Sequence, residues 1–240
     1  MIVPENWWTF HHKDCGIKYR GCHPTSCPKE VYEKTGLWIG DKVIRSSYKE
    51  NNYGNVFTVL VIGQKPRMCV EVGVLDGYST LHIAKGIKFN RESFGTDGKL
   101  WCWDLWDLYE YNHGDKDKVQ KMLEENEVSN YVKLSQGDVF DIAHLIAANS
   151  VDFLHVDVSN DGSTFEKVMQ FWNSRMKPFG IIVFEGGSQE RDEIEWMIKY
   201  RKKPIRDEIL NNKYRKDDYK FITFEEFPSI TILQKKGCFT

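Results

Sequence analysis

Residues 67–83 read RMCVEVGVLDGYSTLHI, and they are the most informative part of the sequence about the fold. The almost unbroken apolar run at residues 68–72 predicts a strand that is buried on both faces. Gly73 and Gly77 follow it, and the amphipathic residues 80–87 predict a helix. A strand, a glycine turn and a helix in this order are typical of the opening unit of a nucleotide-type pocket.

The two glycines would let a ligand lie directly on the main chain. Gly73 and Gly77 have no Cβ atom, so the backbone can take a positive φ and approach a ligand closely. Ser79 and Thr80 can cap the helix, whose free N–H groups would face that ligand. We therefore expect all four residues to contact a cofactor.

The spacing of the glycines favours one class of cofactor over another. A dinucleotide site needs Gly-x-Gly-x-x-Gly to seat a pyrophosphate, but Val74 stands where its second glycine would be. The observed Glu71-x-Gly73-x-x-x-Gly77 suits a nucleoside without phosphates. Glu71, at the end of the strand, can attract a ligand with cationic character.

This pattern resembles motif I of the class I S-adenosylmethionine (SAM)-dependent methyltransferases, whose usual form is Glu/Asp-x-Gly-x-x-x-Gly. The resemblance implies SAM as the cofactor and a parallel sheet that ends in an antiparallel hairpin. A nicotinamide-dependent oxidoreductase is a weaker alternative because of Val74.

Length and composition predict one globular α/β domain with an N-terminal extension. The chain has 240 residues, of which 41% are hydrophobic and 14% aromatic. We place an N-terminal arm at residues 1–50 and the SAM-dependent methyltransferase domain at residues 51–240. The aromatic residues of the arm could cover the pocket or mediate a homo-oligomer.

The charge balance and hydropathy limit the partners. A net charge of −2, from 33 basic and 35 acidic residues, gives no general attraction to polyanions, so nucleic acid is not expected as a partner. The sequence has no apolar run of about 18 residues and no signal-peptide pattern. We therefore expect no membrane association and a cytoplasmic location.

Six cysteines support two interpretations. Cys69 and Cys102 fall in predicted strands, where cysteine behaves as a small hydrophobic residue. A zinc site in the arm is a second hypothesis, although the Cys-x-x-Cys spacing is missing. Its candidate ligands would be His11, His12, Cys15, Cys22, His23 and Cys27.

Strands and helices alternate along the rest of the chain, which predicts a Rossmann-like, mainly parallel seven-stranded sheet with helices on both faces. Two final strands without a helix between them predict a C-terminal antiparallel hairpin. The charged residues 199–220 are interpreted as a solvated connection. Strands are predicted at 68–72, 100–105, 131–134, 151–158, 181–185, 221–224 and 229–233, and helices at 53–62, 80–87, 116–125, 140–148, 164–176 and 190–200.

Acidic residues end successive predicted strands, where ligands of parallel sheets bind. Asp104 follows the second strand and could accept two hydrogen bonds from a ribose diol. Asp138 follows the third strand and could accept a hydrogen bond from an adenine amino group, while Val139 could cover the ring. These three residues complete the predicted cofactor site.

Asp157, at the end of the fourth strand, is our first candidate for a catalytic or metal-binding carboxylate. Glu185 ends the fifth strand, and the carboxylates of Asp157 and Glu185 could hold Mg²⁺ together with Asn160 or Asp161. The pair resembles that of the macrocin-type sugar O-methyltransferases that act on macrolide antibiotics. That resemblance implies that Asp157 also serves as the base, but glycines follow Glu185 where that family has paired Asp residues.

Histidines and aromatic residues add weaker candidates. His155 is predicted to be a hydrogen-bonded core residue, whereas His113, in a loop beyond Asp104, could have a catalytic role. Tyr109 and Tyr111, like the preceding Trp106, could stack on a substrate ring or cover the core.

These patterns predict a SAM-dependent O-methyltransferase that acts on a hydroxyl of a sugar or glycan, with possible help from Mg²⁺. A phenol or catechol acceptor is the alternative within the same reaction class. A SAM-binding subunit without catalysis is an alternative from a different class.

Overall fold

The computed structural model describes residues 38–39, 42–111 and 113–237. The arm upstream of residue 38, with its predicted zinc ligands, lies outside the described residues. Within the described ranges, no helix is long and apolar enough to cross a membrane.

Seven strands form the central sheet, and two short strands form a separate ribbon. The ribbon pairs β1 (Trp38–Ile39) with β2 (Lys42–Val43). The strands of the central sheet are β3 (Met68–Val72), β4 (Lys99–Asp104), β5 (Val132–Gln136), β6 (Val151–Val156), β7 (Met176–Glu185), β8 (Tyr219–Phe224) and β9 (Ile230–Lys235).

The central sheet has the strand order β5-β4-β3-β6-β7-β9-β8. Five strands, β3 to β7, are mutually parallel, and β9 runs antiparallel to both β7 and β8. After β3 the chain first builds outward through β4 and β5, and then crosses back so that β6 lies on the other side of β3. This change of direction opens a crevice at the carboxyl ends of β3, β4 and β6, where ligands of such sheets bind.

Helices cover both faces of the sheet, and they are numbered here in chain order. Their bounds are α1 (Tyr53–Gln64), α2 (Tyr78–Phe94), α3 (Lys116–Glu125), α4 (Val139–Leu145), α5 (Gly162–Trp172), α6 (Gln189–Asp192), α7 (Glu195–Lys199), α8 (Ile205–Asn211) and α9 (Lys213–Asp218).

The core consists of two apolar clusters, one on each face of the sheet. Successive strand residues point to opposite faces, so Cys69 joins one cluster and Val70 the other. Phe57 of α1 packs in the first cluster, and Trp172 of α5 in the second, both fully buried. Each such side chain stabilises the fold by about 1.5–3 kcal/mol relative to an exposed one.

The predicted fold class is confirmed, including the seven strands and the antiparallel C-terminal pair. One strand is longer than predicted, because β7 begins at Met176 and continues through Pro178 and Gly180. Its pairing with β6 is irregular between Val151 and Phe153, so Pro178 interrupts no regular ladder there.

The interpretation of residues 199–220 as a solvated connection holds for most of their charged side chains but not for the whole segment. Helices α8 and α9 lie in this segment, and Ile205 and Ile209 are buried in the second core cluster. These two residues are one helical turn apart and therefore share a face, although charged residues surround them in the sequence. Similarly, Ile44 and Tyr48, from the predicted arm, are buried in the first cluster.

Candidate active site

A cavity of about 680 Å³ opens at the carboxyl ends of the parallel strands. Its walls come from residues 45–48, from the glycine loop at 72–75, from the ends of β4 and β5, and from residues 157–159 after β6. This volume lies within the range of about 300–1,000 Å³ that small-molecule sites occupy.

Asp104 holds the glycine loop in place. Its Oδ2 accepts hydrogen bonds from the backbone N–H groups of Val74 (2.6 Å) and Leu75 (3.1 Å), and its Oδ1 accepts one from that of Trp106 (2.9 Å). A carboxylate has about four acceptor positions, so about one remains for a ligand. Asp104 lines the cavity as predicted, but it cannot offer a ribose diol two unshared oxygens.

Gly73 and Gly77 have positive φ angles of 87° and 79°, as the glycine turn requires. A Cβ atom at residue 73 would overlap the carbonyl oxygen of Asp157, and one at residue 77 would press on Met122 and Val119 of α3. Gly73 lines the cavity, whereas Gly77 does not. Both glycines are therefore explained by the protein's own packing, and the position of Gly77 outside the cavity lining does not support its predicted cofactor contact.

Glu71 does not face the cavity, in contrast to the prediction. Its side chain is fully buried, and its oxygens accept hydrogen bonds from Ser79 Oγ (2.5 Å), from Thr80 Oγ1 (2.5 Å) and from the Cys102 thiol (3.3 Å). Ser79 also lines the cavity, but Thr80 is fully buried behind it. Glu71 and Thr80 thus stabilise the start of α2 and are not ligand contacts.

Asp138 and Val139 line the cavity where β5 leads into α4. Asp138 caps this helix, because its Oδ1 accepts a hydrogen bond from the Phe140 N–H (2.8 Å). Val139 is buried and presents an apolar surface. Both residues lie where the sequence predicted the adenine subsite, and their contacts with a cofactor stay a prediction.

Asp157 lies in the cavity wall directly after β6. Burial and the negative charge of Glu185 raise its pKa to about 7, although His155, Tyr48 and Arg191 act in the opposite direction. A carboxyl group with this pKa can exchange a proton near neutral pH, which suits it to general acid–base catalysis.

The predicted magnesium ligands do not come together as a set. Both oxygens of Glu185 accept hydrogen bonds from the buried Arg191, Oε1 from Nε (2.6 Å) and Oε2 from Nη2 (3.0 Å). Asp161 caps α5 through the Thr164 N–H (2.8 Å) and pairs with Lys202. Among the residues that the structure describes, no group of three His, Cys, Asp or Glu side chains could hold a metal ion.

A buried hydrogen-bond chain leads from Glu71 to the cavity. His155 Nδ1 lies 3.0 Å from Glu71 Oε1, and His155 Nε2 lies 3.1 Å from the hydroxyl oxygen of Tyr48. His155 is therefore a hydrogen-bonded core residue, as predicted. Burial and the nearby carboxylate of Asp157 raise the pKa of Tyr48 well above its ordinary value, so Tyr48 stays protonated.

Arg45 ties the segment before α1 to two loops of the cavity. Its guanidinium donates hydrogen bonds to both oxygens of Asp76 (2.7 and 2.8 Å) and to the backbone oxygen of His113 (3.0 Å). His113 lines the cavity, and its Nδ1 lies 3.1 Å from the backbone oxygen of Gly114. Its catalytic role stays a prediction.

The three aromatic candidates have different positions. Trp106 is buried and donates a hydrogen bond to the backbone of Ser135, so it covers the core. Tyr109 and Tyr111 line the cavity and form an edge-to-face pair with ring centroids 5.4 Å apart. The Tyr109 hydroxyl also contacts Ser159 Oγ (3.0 Å), which links two sides of the cavity.

The wall formed by residues 45–48 was not predicted from the sequence. This segment has no hydrophobic periodicity, and the prediction therefore placed it in the arm. A weak signal existed, because Ser46 and Ser47 directly before Tyr48 are typical of a short turn.

Residues 70–185 match the family model described as a methyltransferase domain. The matched segment is a little under half of the chain, and it contains the last three residues of β3, the glycine loop, all of β4 to β7 and Asp157. No curated protein matches the sequence significantly.

Solved structures with the same fold include several methyltransferases. The O-methyltransferase from Bacillus cereus, in complex with S-adenosylhomocysteine (SAH), is 16% identical with a TM-score of 0.59 over 97% of this chain and 99% of that chain. The O-methyltransferase TomG from Streptomyces achromogenes, in complex with SAM, is 15% identical with a TM-score of 0.58 over 99% and 100%.

A third similar structure is the SAH-bound methyltransferase PaMTH1 of Podospora anserina. It is 16% identical, with a TM-score of 0.58 over 98% of this chain and 99% of that chain. At these identities the likeness establishes the fold. The family model adds a match to a methyltransferase domain over residues 70–185.

Proposed function

We propose that this protein is a SAM-dependent O-methyltransferase whose acceptor is a hydroxyl group of a sugar or glycan. The observation that carries the proposal is the position of Asp157, which stands in the cavity wall beside the glycine loop with its pKa raised to about 7.

The residues of the cavity fit SAM. The main chain at Gly73 and Val74 offers a surface without large side chains, and Asp104 and Asp138 stand at the ends of β4 and β5. Asp138 uses only Oδ1 for its helix cap, so it can accept a hydrogen bond from an adenine amino group. Val139 can cover the ring. When bound, SAM supplies an electrophilic methyl group on a sulfonium.

Asp157 would act as the general base. It accepts the proton of the acceptor hydroxyl while the hydroxyl oxygen becomes the nucleophile, and the carboxyl group then returns the proton to solvent. Residues 45–48 and Tyr109 close part of the cavity, which helps to hold the acceptor oxygen in a fixed orientation.

The chemistry of the cavity wall favours a sugar acceptor. Four hydroxyl-bearing residues, Ser46, Ser47, Ser159 and Thr164, are among those that line the cavity. A hydroxyl group can both donate and accept, so these residues suit a polyol even though those of Ser46, Ser159 and Thr164 also have partners within the protein. A phenol or catechol is the second candidate, and the Tyr109–Tyr111 pair favours it because aromatic rings pack well edge to face.

Calorimetry with SAH, followed by transfer of a labelled methyl group from SAM, tests the proposal. We expect SAH binding and transfer to glycosides, with a panel of phenols and catechols as the comparison. Failure to bind SAH or SAM at millimolar concentration would remove the cofactor assignment. Transfer to phenols alone would select the second candidate, and SAH binding without any transfer would support a subunit without catalysis.

A further inference from the structure

The ends of β6 and β7 carry the four side chains that the sequence predicted as ligands of Mg²⁺. Asp157 and Asn160 follow β6, Asp161 directly precedes α5, and Glu185 ends β7. The two strands are parallel and neighbouring, and their register brings Asp157 and Glu185 to the same edge of the sheet. A divalent cation that bound at this edge would use oxygen atoms of these side chains.

Glu185 is already paired with a cation of the chain. Nε and Nη2 of Arg191 donate hydrogen bonds to its two carboxylate oxygens at 2.6 and 3.0 Å. Two parallel hydrogen bonds of this kind are the strong form of an arginine–carboxylate pair, and the side chains are only 8% and 10% exposed. A metal ion on Glu185 would displace Arg191 and leave a buried guanidinium without its anion, which is costly.

Asn160 is fully buried, and its amide is used by the backbone around Asp157. Nδ2 donates hydrogen bonds to the backbone oxygens of Val156 and Glu185, both at 3.1 Å. Oδ1 accepts one from the backbone N–H of Val158 at 3.4 Å. Because Val156 and Val158 are the neighbours of Asp157 in the chain, Asn160 fixes the main chain on both sides of the candidate base.

Arg191 joins the two strand ends through Asn160. Its Nη2 also donates a hydrogen bond to the backbone oxygen of Asn160 at 3.2 Å, so one guanidinium is bound to the end of β7 and to the loop after β6. A bridging metal ion would supply a positive charge and hold these two strand ends together. Arg191 does both with atoms of the protein itself.

We propose that Arg191 takes the place of a divalent cation at this edge of the sheet, so that methyl transfer requires no metal ion. The guanidinium neutralises Glu185 and holds the end of β7 against the loop that follows Asp157. This inference rests on the proposed function, in which Asp157 is the base. Arg191 lies outside the cavity lining and is therefore a positioning residue, which acts through Glu185 and Asn160.

Manganese binding tests the inference without a measurement of activity. Mn²⁺ binds to the same oxygen ligands as Mg²⁺, and its electron paramagnetic resonance spectrum distinguishes free from bound ion. In the presence of SAH we expect no Mn²⁺ at this site at concentrations up to about 1 mM. Asp157→Asn is the matched comparison, because it keeps the shape of the side chain and removes the charge. Mn²⁺ binding that wild type shows and Asp157→Asn lacks would overturn the inference.

Removal of metal ions gives the kinetic readout. The kcat of methyl transfer by the wild-type protein should agree within about twofold in EDTA and in Mg²⁺. A larger loss of kcat in EDTA that Mg²⁺ restores would overturn the inference. The proposed function fails separately, when the protein binds no SAH or transfers no methyl group under either condition, and the manganese result does not depend on that outcome.

The reciprocal experiment offers a metal ion to a protein that lacks the guanidinium. Arg191→Met leaves Glu185 beside Asp157 without its cation, so Mg²⁺ at about 10 mM should raise the melting temperature by about 2 °C or more. The control combines Arg191→Met with Glu185→Gln, which removes one of the two carboxylates and should abolish the rise. Equal shifts in the two proteins would overturn the inference. If Arg191→Met does not fold, the manganese and EDTA measurements on the wild-type protein decide.

Discussion

Gly73 and Asp157 touch through their main chains, because a Cβ atom added at residue 73 would overlap the Asp157 carbonyl oxygen. Residue 73 begins the glycine loop and residue 157 carries the candidate base, so this contact joins the two halves of the site. The contact therefore fixes the position of the glycine loop relative to residue 157.

Gly73→Ala should disrupt this contact. The methyl group of alanine would clash with the carbonyl oxygen of Asp157, which belongs to the backbone and cannot easily move away. Residue 73 also has a φ of 87°, which is unfavourable for alanine. We expect the free energy of unfolding to fall by about 2–4 kcal/mol, measured by urea denaturation. Gly63→Ala is the control, because a Cβ atom at that position in α1 meets open space. This substitution should raise the free energy of unfolding by at most about 1 kcal/mol.

The pKa of Asp157 gives a pH dependence of stability with a definite sign. A carboxyl group whose pKa is raised to about 7 stabilises the folded state fully below the ordinary aspartate value of 3.8, and this contribution is lost as the pH rises through about 7. Asp157→Asn has no ionisable group at this position, so the variant should not lose this stability as the pH rises. The melting temperature of the variant minus that of wild type should be higher at about pH 8 than at about pH 5, by about 2 °C or more.

The same group should control the rate of the proposed reaction. Only the deprotonated carboxylate can accept a proton, so kcat should rise with pH and level off above about pH 7. Asp157→Asn should lower kcat by about 100-fold or more and leave the Kd of SAH nearly unchanged. A variant with wild-type kcat would show that Asp157 is not the base.

Asp104→Asn should weaken cofactor binding through the loop. An amide in place of the carboxylate brings an N–H₂ group, or a weaker acceptor, to the backbone N–H groups of Val74 and Leu75. We expect the Kd of SAH to rise by about 10-fold or more in calorimetry. Asp107→Asn, at an exposed position in the adjacent turn, should bind SAH as wild type does.

Removal of Arg191 should be strongly destabilising. Arg191→Met leaves the buried carboxylate of Glu185 without its cation, and the expected loss is about 3–5 kcal/mol in chemical denaturation. Adding Glu185→Gln should restore much of that loss. Arg206→Met breaks an exposed ion pair with Glu225 and should cost less than about 1 kcal/mol.

Features that are formed by consecutive residues could be predicted from the sequence. Strand β3, the glycine turn and helix α2 follow one another directly, so their residue types reveal their structure. Asp138 and Asp157 were also located correctly, because the carboxyl ends of parallel strands all meet at one edge of the sheet.

Features that depend on tertiary contacts could not be predicted in this way. Tyr48 and His155 are 107 residues apart, and nothing in either segment indicates their hydrogen bond. The same holds for Asp104, whose oxygens are largely used by its own protein, and for Glu185, which pairs with Arg191. Asp104 and Glu185 could be located from the sequence, but their partners could not.

Arg45 and Tyr48 come before the first helix of the sheet domain, yet they close one side of the cavity and reach Asp76 and His155. Shortening the protein to residues 51–240 would keep every strand of the central sheet and would still leave the cavity open along that side. If such a fragment folded and showed no activity, the result would not count against the proposed function. Biochemical work on this protein therefore needs the residues that precede the sheet.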